Sequence, residues 1–288
     1  MSATAAEVLT RSERPSRRRL HPSAAIGGTI VAAIVLLALV ALFWTPYHAT
    51  IPSDQVLAPM SGHHPFGTDE YGRDVLSRLM AGAKLTLYAG AISVLIAVAG
   101  GVPVGLAAAA ARGSIVDDLL MRAVDLIYAF PALLAAIVLA AAVGASTTTA
   151  MLAIGIASIP VFARVTRAAS LQVLGSEYVL AARAYRRSTL AILWRHVLPN
   201  IRALLIVQAS LLYAIAILAE AGLSYLGLGT PPPAPTWGAM VQDAQQYLGR
   251  DPLLVFWPGI FIALAVLGFN LLGDGLRDLL DPRLREQR

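Results

Sequence analysis

The chain has 288 residues, of which 57% are hydrophobic and 14% are charged. A soluble domain usually carries about 25% charged residues, so this composition, with a mean hydropathy of +0.69, excludes an ordinary soluble domain and indicates a membrane protein. The absence of cysteine excludes disulfides and thiolate metal sites, and the net charge of +5 requires either an acidic partner or a membrane topology that explains it.

Six apolar stretches are long enough to cross a bilayer core of about 30 Å as helices. They are 24–44, 85–110, 119–143, 149–165, 201–223 and 254–275. The range 149–165 is the weakest because it is short and Pro160 interrupts it. The pattern predicts an all-α polytopic membrane protein with six transmembrane helices. Pro103, Pro131, Pro160 and Pro258 fall within these spans and predict helix kinks.

The basic residues before the first span resemble a signal peptide superficially, and Arg17-Arg18 hints at a twin-arginine signal. However, the apolar run that follows has about 21 residues, which is too long for a cleaved signal, and no A-x-A site ends it. We therefore expect a retained first helix.

The distribution of lysine and arginine predicts the topology. If both termini are cytoplasmic, the inner segments carry 18 of the 22 basic residues and the outer segments carry 4. Positive residues are retained on the cytoplasmic side, so both termini and the segment 164–202, with its seven arginines, are predicted to be cytoplasmic. Seven arginines at the bilayer centre would cost roughly 20 kcal/mol on insertion scales, so this segment is not a seventh span. The net charge then needs no nucleic-acid partner.

Charged residues outside and inside the spans give further expectations. The mixed-charge cluster Asp69, Glu70, Arg73 and Asp74 in the first external loop is predicted to be solvated surface, with a docking role as the alternative. Asp125 lies early in the third span and Glu220 near the outer end of the fifth. Ionisable groups in membranes are costly and often functional, so each is either a structural carboxylate, bonded to backbone or an arginine, or a pathway or gate residue.

The segment 177–200 reads EYVLAARAYRRSTLAILWRHVLPN. It predicts two short helices, about 177–185 and 189–197, with Ser188 as N-cap of the second and an end near Pro199. Leu190, Leu193, Trp194 and Val197 follow i, i+3, i+4, i+7 spacing and form one apolar stripe. Two interpretations remain: the stripe packs on the chain's own bundle or the headgroups, or the helix pair enters a groove of a partner protein with arginines at the rim.

No catalytic constellation is found. A P-loop needs G-x-x-x-x-G-K-[ST], but the single lysine, Lys84, stands in AGAKLT. There is no H-E-x-x-H and no G-x-S-x-G, and the five histidines form no i, i+4 pair. The chain is therefore predicted not to be an enzyme on its own and to hold no metal.

Four motifs, in order, resemble the permeases of ABC importers. SEYVLAARA and ILWRHVLPN look like their cytoplasmic coupling loop, the EAA loop, while HPFGTDEYGRDVLSR, RAVDLIYAFP and EAGLSYLGLGTPPPAPTWG look like other parts of the binding-protein-dependent peptide/nickel branch, the subunit type called DppC or OppC. The resemblance covers about residues 20–282. It implies the type I ABC-importer permease fold, and we divide the chain into a tail 1–23, a first helix and external loop 24–83, a permease core 84–276 with coupling loop 168–200, and a tail 277–288.

The resemblance also implies the site and its partners. ATP and Mg would be bound by separate ATPase subunits rather than by this chain, and the coupling loop would seat on those subunits. Its candidate coupling residues are Glu177, Ala181, Ala182, Arg183, Arg186, Leu190, Leu193, Trp194, His196 and Pro199.

Two residues depart from the family pattern in this loop. Leu180 stands where the family has a glutamate before the paired alanines, and Arg186 stands where it usually has a glycine. Arginine disfavours a left-handed turn by about 1–2 kcal/mol. Either the turn has another shape here, or the two helices are joined with strain.

The implied assembly is a heterodimer with a second permease, ATP-binding subunits and an external substrate-binding protein, for which the proline-stiffened stretch 223–235 is a candidate docking surface. The implied function is translocation of di- or oligopeptides across the bacterial inner membrane. The alternatives are nickel or another small solute, and a self-sufficient secondary transporter, for which the sequence lacks inverted repeats.

Overall fold

The computed structural model describes residues 22–280, and within that range it is built from helices without a β-sheet. The predicted all-α architecture is confirmed. The predicted N-terminal tail, except its last two residues, and residues 281–288 lie outside the described range. The helices are α1 (Pro22–Phe43), α2 (Val75–Ala110), α3 (Ile115–Tyr128), α4 (Ala132–Val143), α5 (Thr147–Leu174), α6 (Glu177–Ala184), α7 (Thr189–Ile192), a π-helical turn (Leu193–Val197), α8 (Leu198–Tyr225), α9 (Trp237–Ala244), a short 3-10 turn (Gln245–Tyr247) and α10 (Leu253–Leu280).

The predicted number of spans agrees with the structure. Five helices are long and apolar enough to cross a membrane, and the pair α3–α4 makes a sixth if the bent pair counts as one span. The third span is therefore not one continuous helix over 119–143, because α3 and α4 meet at 76°.

Pro131 explains this bend. It has an extended conformation (φ −59°, ψ 128°) before α4. A proline cannot donate a backbone hydrogen bond, and it pushes the preceding residue out of the helical region. By contrast, Pro103, Pro160 and Pro258 lie inside helices that continue through them, so of the four prolines only Pro131 breaks a span.

The helices α2 and α5 extend well beyond their predicted spans. α2 begins at Val75 because Asp74 caps it: its Oδ2 accepts from the backbone N–H of Ser77 at 2.8 Å. The boundary placed between residues 83 and 84 therefore falls inside α2. α5 passes Pro160 and extends to Leu174, nine residues beyond the predicted end.

Glycines allow the helices to approach closely. A Cβ on Gly101 of α2 would lie 2.4 Å from Phe162 Cβ of α5, and one on Gly27 of α1 would lie 2.4 Å from the backbone nitrogen of Leu272 of α10. Small residues at such crossings are typical of helix packing in membranes. Trp237 of α9 also packs against α2. Its side chain is fully buried, and its Nε1 donates to the carbonyl of Leu79 of α2 at 3.0 Å. This anchors the loop between α8 and α10 on the bundle.

Candidate coupling surface and charged sites

The segment between α5 and α8 contains the starts of two helices near the predicted positions: α6 is a separate short helix, and α7 begins at Thr189. Ser188 caps the second: its Oγ accepts from the backbone N–H of Ala191 at 3.3 Å. Glu177 lies in the first turn of α6, where a carboxylate interacts favourably with the helix dipole.

Arg186 joins the two helices in a left-handed conformation, with φ +56°. The backbone N–H of Arg187 donates to Ala182 O at 3.3 Å, and that of Arg186 donates to Arg183 O at 2.9 Å. These two bonds are the Schellman arrangement that usually places glycine at the left-handed position. Of the two expected outcomes, the strained one is found: the turn keeps the shape that suits glycine, although arginine occupies it.

The second helix does not end at Pro199. The π-helical turn Leu193–Val197 leads directly into α8, and the backbone N–H of Leu198 donates to Leu193 O, five residues back. Pro199 has no N–H, so it lacks the donor for the α-helical bond to Arg195 O. Within the first turn of α8 this loss is tolerated, and Thr189–Tyr225 forms a single helix of 37 residues.

The predicted apolar stripe divides between two environments. Leu193 and Val197 are buried, with Ile192, in the chain's own core beside Val179 of α6, whereas Leu190 and Trp194 are 64% and 63% exposed. The buried face therefore contains Ile192, Leu193 and Val197 rather than the whole predicted stripe. Leu193 is thus a core residue, and Leu190 and Trp194 are the members of the stripe that a partner can contact.

An open concavity of about 670 Å³, here called the coupling groove, lies between the two short helices. Three alanines and five aromatic or basic residues line it. Its lining residues are Tyr178, Ala181, Ala182, Tyr185, Arg187, Ala191, Arg195 and His196.

The groove contains three of the candidate residues, Ala181, Ala182 and His196, and adds five others. Tyr178 and Tyr185 follow i and i+7 spacing with the alanine pair at i+3 and i+4, so this stripe of α6 was visible in the sequence. The hydroxyl oxygen of Tyr178 accepts from Asn200 Nδ2 at 3.0 Å, which connects α6 to α8.

The groove is surrounded by positive charge. Arg183, Arg186, Arg187 and Arg195 are exposed, and within residues 22–280 none of them forms an ion pair. An acidic partner surface would complement these side chains.

Glu220 is buried at 1% exposure near the outer end of α8. Its Oε1 accepts from Ser224 Oγ at 2.6 Å, and its Oε2 has no hydrogen-bond partner in the described part of the chain. It therefore does not line an open mouth in this conformation, and its bonding partner is a serine of its own helix rather than an arginine or a backbone group.

Asp125 forms the arginine pair that its structural interpretation anticipated. Its Oδ1 accepts from Arg164 Nη2 of α5 at 2.7 Å. Closer to the start of α3, Asp117 accepts two bonds from Arg167, at 2.8 and 2.7 Å. The Asp117 side chain is 4% exposed, whereas that of Asp125 is 63% exposed.

The charged cluster of the first loop is not solvated surface, so that prediction is wrong. Asp69, Arg73 and Asp74 are buried, and Arg73 Nε donates to Asp69 Oδ2 at 2.7 Å. Arg78 of α2 and Asp243 of α9 complete the cluster. Arg78 Nε lies 3.3 Å from Asp69 Oδ2, and Arg78 Nη2 lies 3.7 Å from Asp243 Oδ2. Because these charges pair with one another across three elements, the first loop can fold onto the bundle and cover them.

His64 belongs to the same region. Its Nδ1 lies 2.9 Å from Asp74 Oδ1, and its ring packs 4.5 Å from that of Tyr47. Over the described range, no group of three or more His, Asp or Glu side chains is arranged to hold a metal ion.

Comparison with known proteins places this arrangement among transport proteins. A family model described as "Binding-protein-dependent transport system inner membrane component" matches residues 101–286. The dipeptide transport system permease protein DppC of Escherichia coli strain K12 is 42% identical over 92% of this chain and 91% of its own length. The DppC protein of Alkalihalophilus pseudofirmus is 40% identical over 91% of this chain and 86% of its own length, and the glutathione transport system permease protein GsiD of Pectobacterium atrosepticum is 38% identical over 93% and 90%.

A solved structure supports the fold independently. An inward-facing conformation of the MetNI methionine ABC transporter matches 71% of this chain and 96% of its own chain with a TM-score of 0.59. At 18% identity, this likeness concerns the fold alone.

Proposed function

The chain belongs to the binding-protein-dependent transport system inner membrane components, and we propose that it forms the path for di- and oligopeptides in an ATP-driven importer of the cytoplasmic membrane. The names of relatives that cover more than nine-tenths of the chain support the peptide substrate. Nickel and other solutes are the alternatives that substrate competition tests.

The coupling groove carries the mechanistic part of this proposal. It is concave, basic and lined in part by alanines, so an acidic surface of an ATP-binding subunit can pack closely against it when the helix pair seats on that subunit. Leu190 and Trp194 lie exposed beside it and offer apolar contact area. ATP and Mg are assigned to that partner because this sequence has no P-loop.

The long helix provides the transmission. Its 37 residues extend about 55 Å at 1.5 Å per residue, from the coupling groove to the outer end of α8. Burial of Leu193 and Val197 in the core fixes its lower part to α5 and α6. A displacement at the groove therefore moves the outer end of the bundle, which is the coupling that alternating access requires.

The rest of the assembly follows from the family and the arginine distribution. We assign both termini and the coupling groove to the cytoplasm, a second permease to the membrane interface, and a substrate-binding protein to the external surface formed by 223–235 and the first loop.

Ala182→Asp tests the groove. A charged, larger side chain in the lining of the coupling groove should abolish co-purification of the ATP-binding subunits and the stimulated ATPase activity, while membrane insertion stays normal. Ala184→Asp is the matched control, because Ala184 is exposed on the same helix and does not line the groove. Retention of the ATPases at normal stoichiometry by Ala182→Asp would contradict the proposal.

A further inference from the structure

An open ion pair lies at the bend between α3 and α4. Asp125 Oδ1 and Arg164 Nη2 are 2.7 Å apart, and the guanidinium carbon of Arg164 lies 4.3 Å from the centre of the Tyr128 ring. The side chains of Asp125 and Arg164 are 63% and 43% exposed.

The pair lies at the inner end of the apolar part of a span. Arg164 follows directly after the apolar stretch 149–163 of α5, and α5 continues for ten residues beyond it, or about 15 Å along the helix axis. Asp125, whose side chain is short, must lie at the same level to reach it.

Neither lipid nor an apolar protein surface suits such a pair. Ionised side chains at this level face a bundle interior or a water-filled cavity, because lipid does not solvate them. The neighbouring pair, Asp117 and Arg167, is the kind of ion pair that faces the interior of the bundle. Asp117 is almost fully covered, and both of its oxygens accept from Arg167. Asp125 uses one oxygen for its arginine, and both partners remain open, so their remaining donors and acceptors point to water or to a polar ligand.

We propose that Asp125 and Arg164 form a binding site within the translocation path for the charged ends of a zwitterionic peptide. The guanidinium donates to the carboxylate of the peptide, and the Asp125 carboxylate accepts from its ammonium group. The Tyr128 ring holds the guanidinium plane in position. In the absence of peptide the two side chains neutralise each other, and binding exchanges one ion pair for two. This inference rests on the proposed function.

Thiol labelling tests the site, because the chain contains no cysteine. Asp125→Cys and Arg164→Cys are made singly, and the intact assembly is treated with an anionic (sulfonatoethyl) or a cationic (trimethylammonioethyl) methanethiosulfonate. Ala129 and Ala168 are exposed one helical turn away from Asp125 and Arg164. Ala129→Cys and Ala168→Cys leave the ion pair intact, and they replace the first two variants if those do not assemble. Leu36→Cys, 62% exposed on α1, is the control on an apolar helix face.

The proposed site predicts which of the two charged reagents labels each variant faster. Asp125→Cys leaves Arg164 unpaired, so the anionic reagent should react at least about tenfold faster than the cationic one, and Arg164→Cys should reverse the preference. Millimolar dialanine should slow labelling at Ala129→Cys and Ala168→Cys, where both charged groups of the site are intact, while Leu36→Cys stays unreactive.

Two results would overturn the inference: thiols at these positions that do not react with charged reagents, or labelling that dialanine does not slow. Uptake of radiolabelled dialanine by the unmodified assembly is measured in parallel. If uptake requires ATP but the thiols behave in either of these ways, the proposed peptide site is wrong, whereas the proposed importer function is retained. If no ATP-dependent peptide uptake occurs, the proposed function itself fails.

Discussion

Asp69 holds the buried cluster of the first loop through four contacts. Its Oδ1 accepts from the backbone N–H groups of Tyr71 and Arg73, both at 2.9 Å. Its Oδ2 accepts from Arg73 Nε at 2.7 Å and lies 3.3 Å from Arg78 Nε. Asp69→Asn keeps an acceptor for the backbone but places a neutral amide, itself a donor, against two guanidinium groups.

The expected cost follows from burial. The side chains of Arg73 and Arg78 are 9% and 4% exposed, and removal of one partner from a buried charge network costs about 3–5 kcal/mol. For a chain of this size, that loss lowers Tm by about 10 °C. The unfolding of the purified permease in detergent, followed by a thermal fluorescence scan, measures the shift.

The matched control is Asp54→Asn. Asp54 lies exposed in the same loop, and a surface substitution of this kind changes stability by less than about 0.5 kcal/mol. If Asp69→Asn and Asp54→Asn melt together with the wild-type protein, the cluster does not hold the loop on the bundle and the reasoning from burial fails.

Three further predictions follow from single residues. Glu220→Gln keeps an oxygen that can accept from Ser224 but removes the charge, so uptake in vesicles should fall at unchanged expression, and wild-type uptake would exclude a functional role. Gly101→Ala should lower Tm by several degrees, because its Cβ would lie 2.4 Å from a side-chain carbon of α5, which corresponds to overpacking by about 1–3 kcal/mol; an unchanged Tm would show that the crossing can widen. Burial raises the pKa of Glu70 and that of Asp243 above their ordinary values, so these carboxyls stabilise the folded state below the unfolded pKa of about 4 and lose that contribution as pH rises through the raised pKa. Glu70→Gln should therefore make Tm fall less steeply as the pH rises above about 4, and an unchanged slope would contradict this assignment.

The amino-acid sequence alone predicted the number of spans, the two-helix coupling segment and the family. These features depend on local rules: a lipid-embedded backbone must satisfy its own hydrogen bonds, so apolar length defines a span, and Ser188 caps a helix through its nearest neighbours. The motifs that carried the resemblance are likewise contiguous stretches. An arginine at position 186 was compatible with two turn shapes. Only the structure, in which Arg186 has a φ of +56°, decided between them.

The tertiary structure decided every question that depends on which surfaces meet. The sequence predicted solvated surface for the first-loop charges because their partners, Arg78 and Asp243, lie on other elements. It could not show that Leu193 is a core residue, because the cluster that contains it is completed by residues of α5 and α6. Arg164, which pairs with Asp125, is 39 residues away in sequence and carries no local signal. Charge pairing and helix register act through space, so the sequence could name the groups at these sites but could not show which of them the fold buries and which it leaves open.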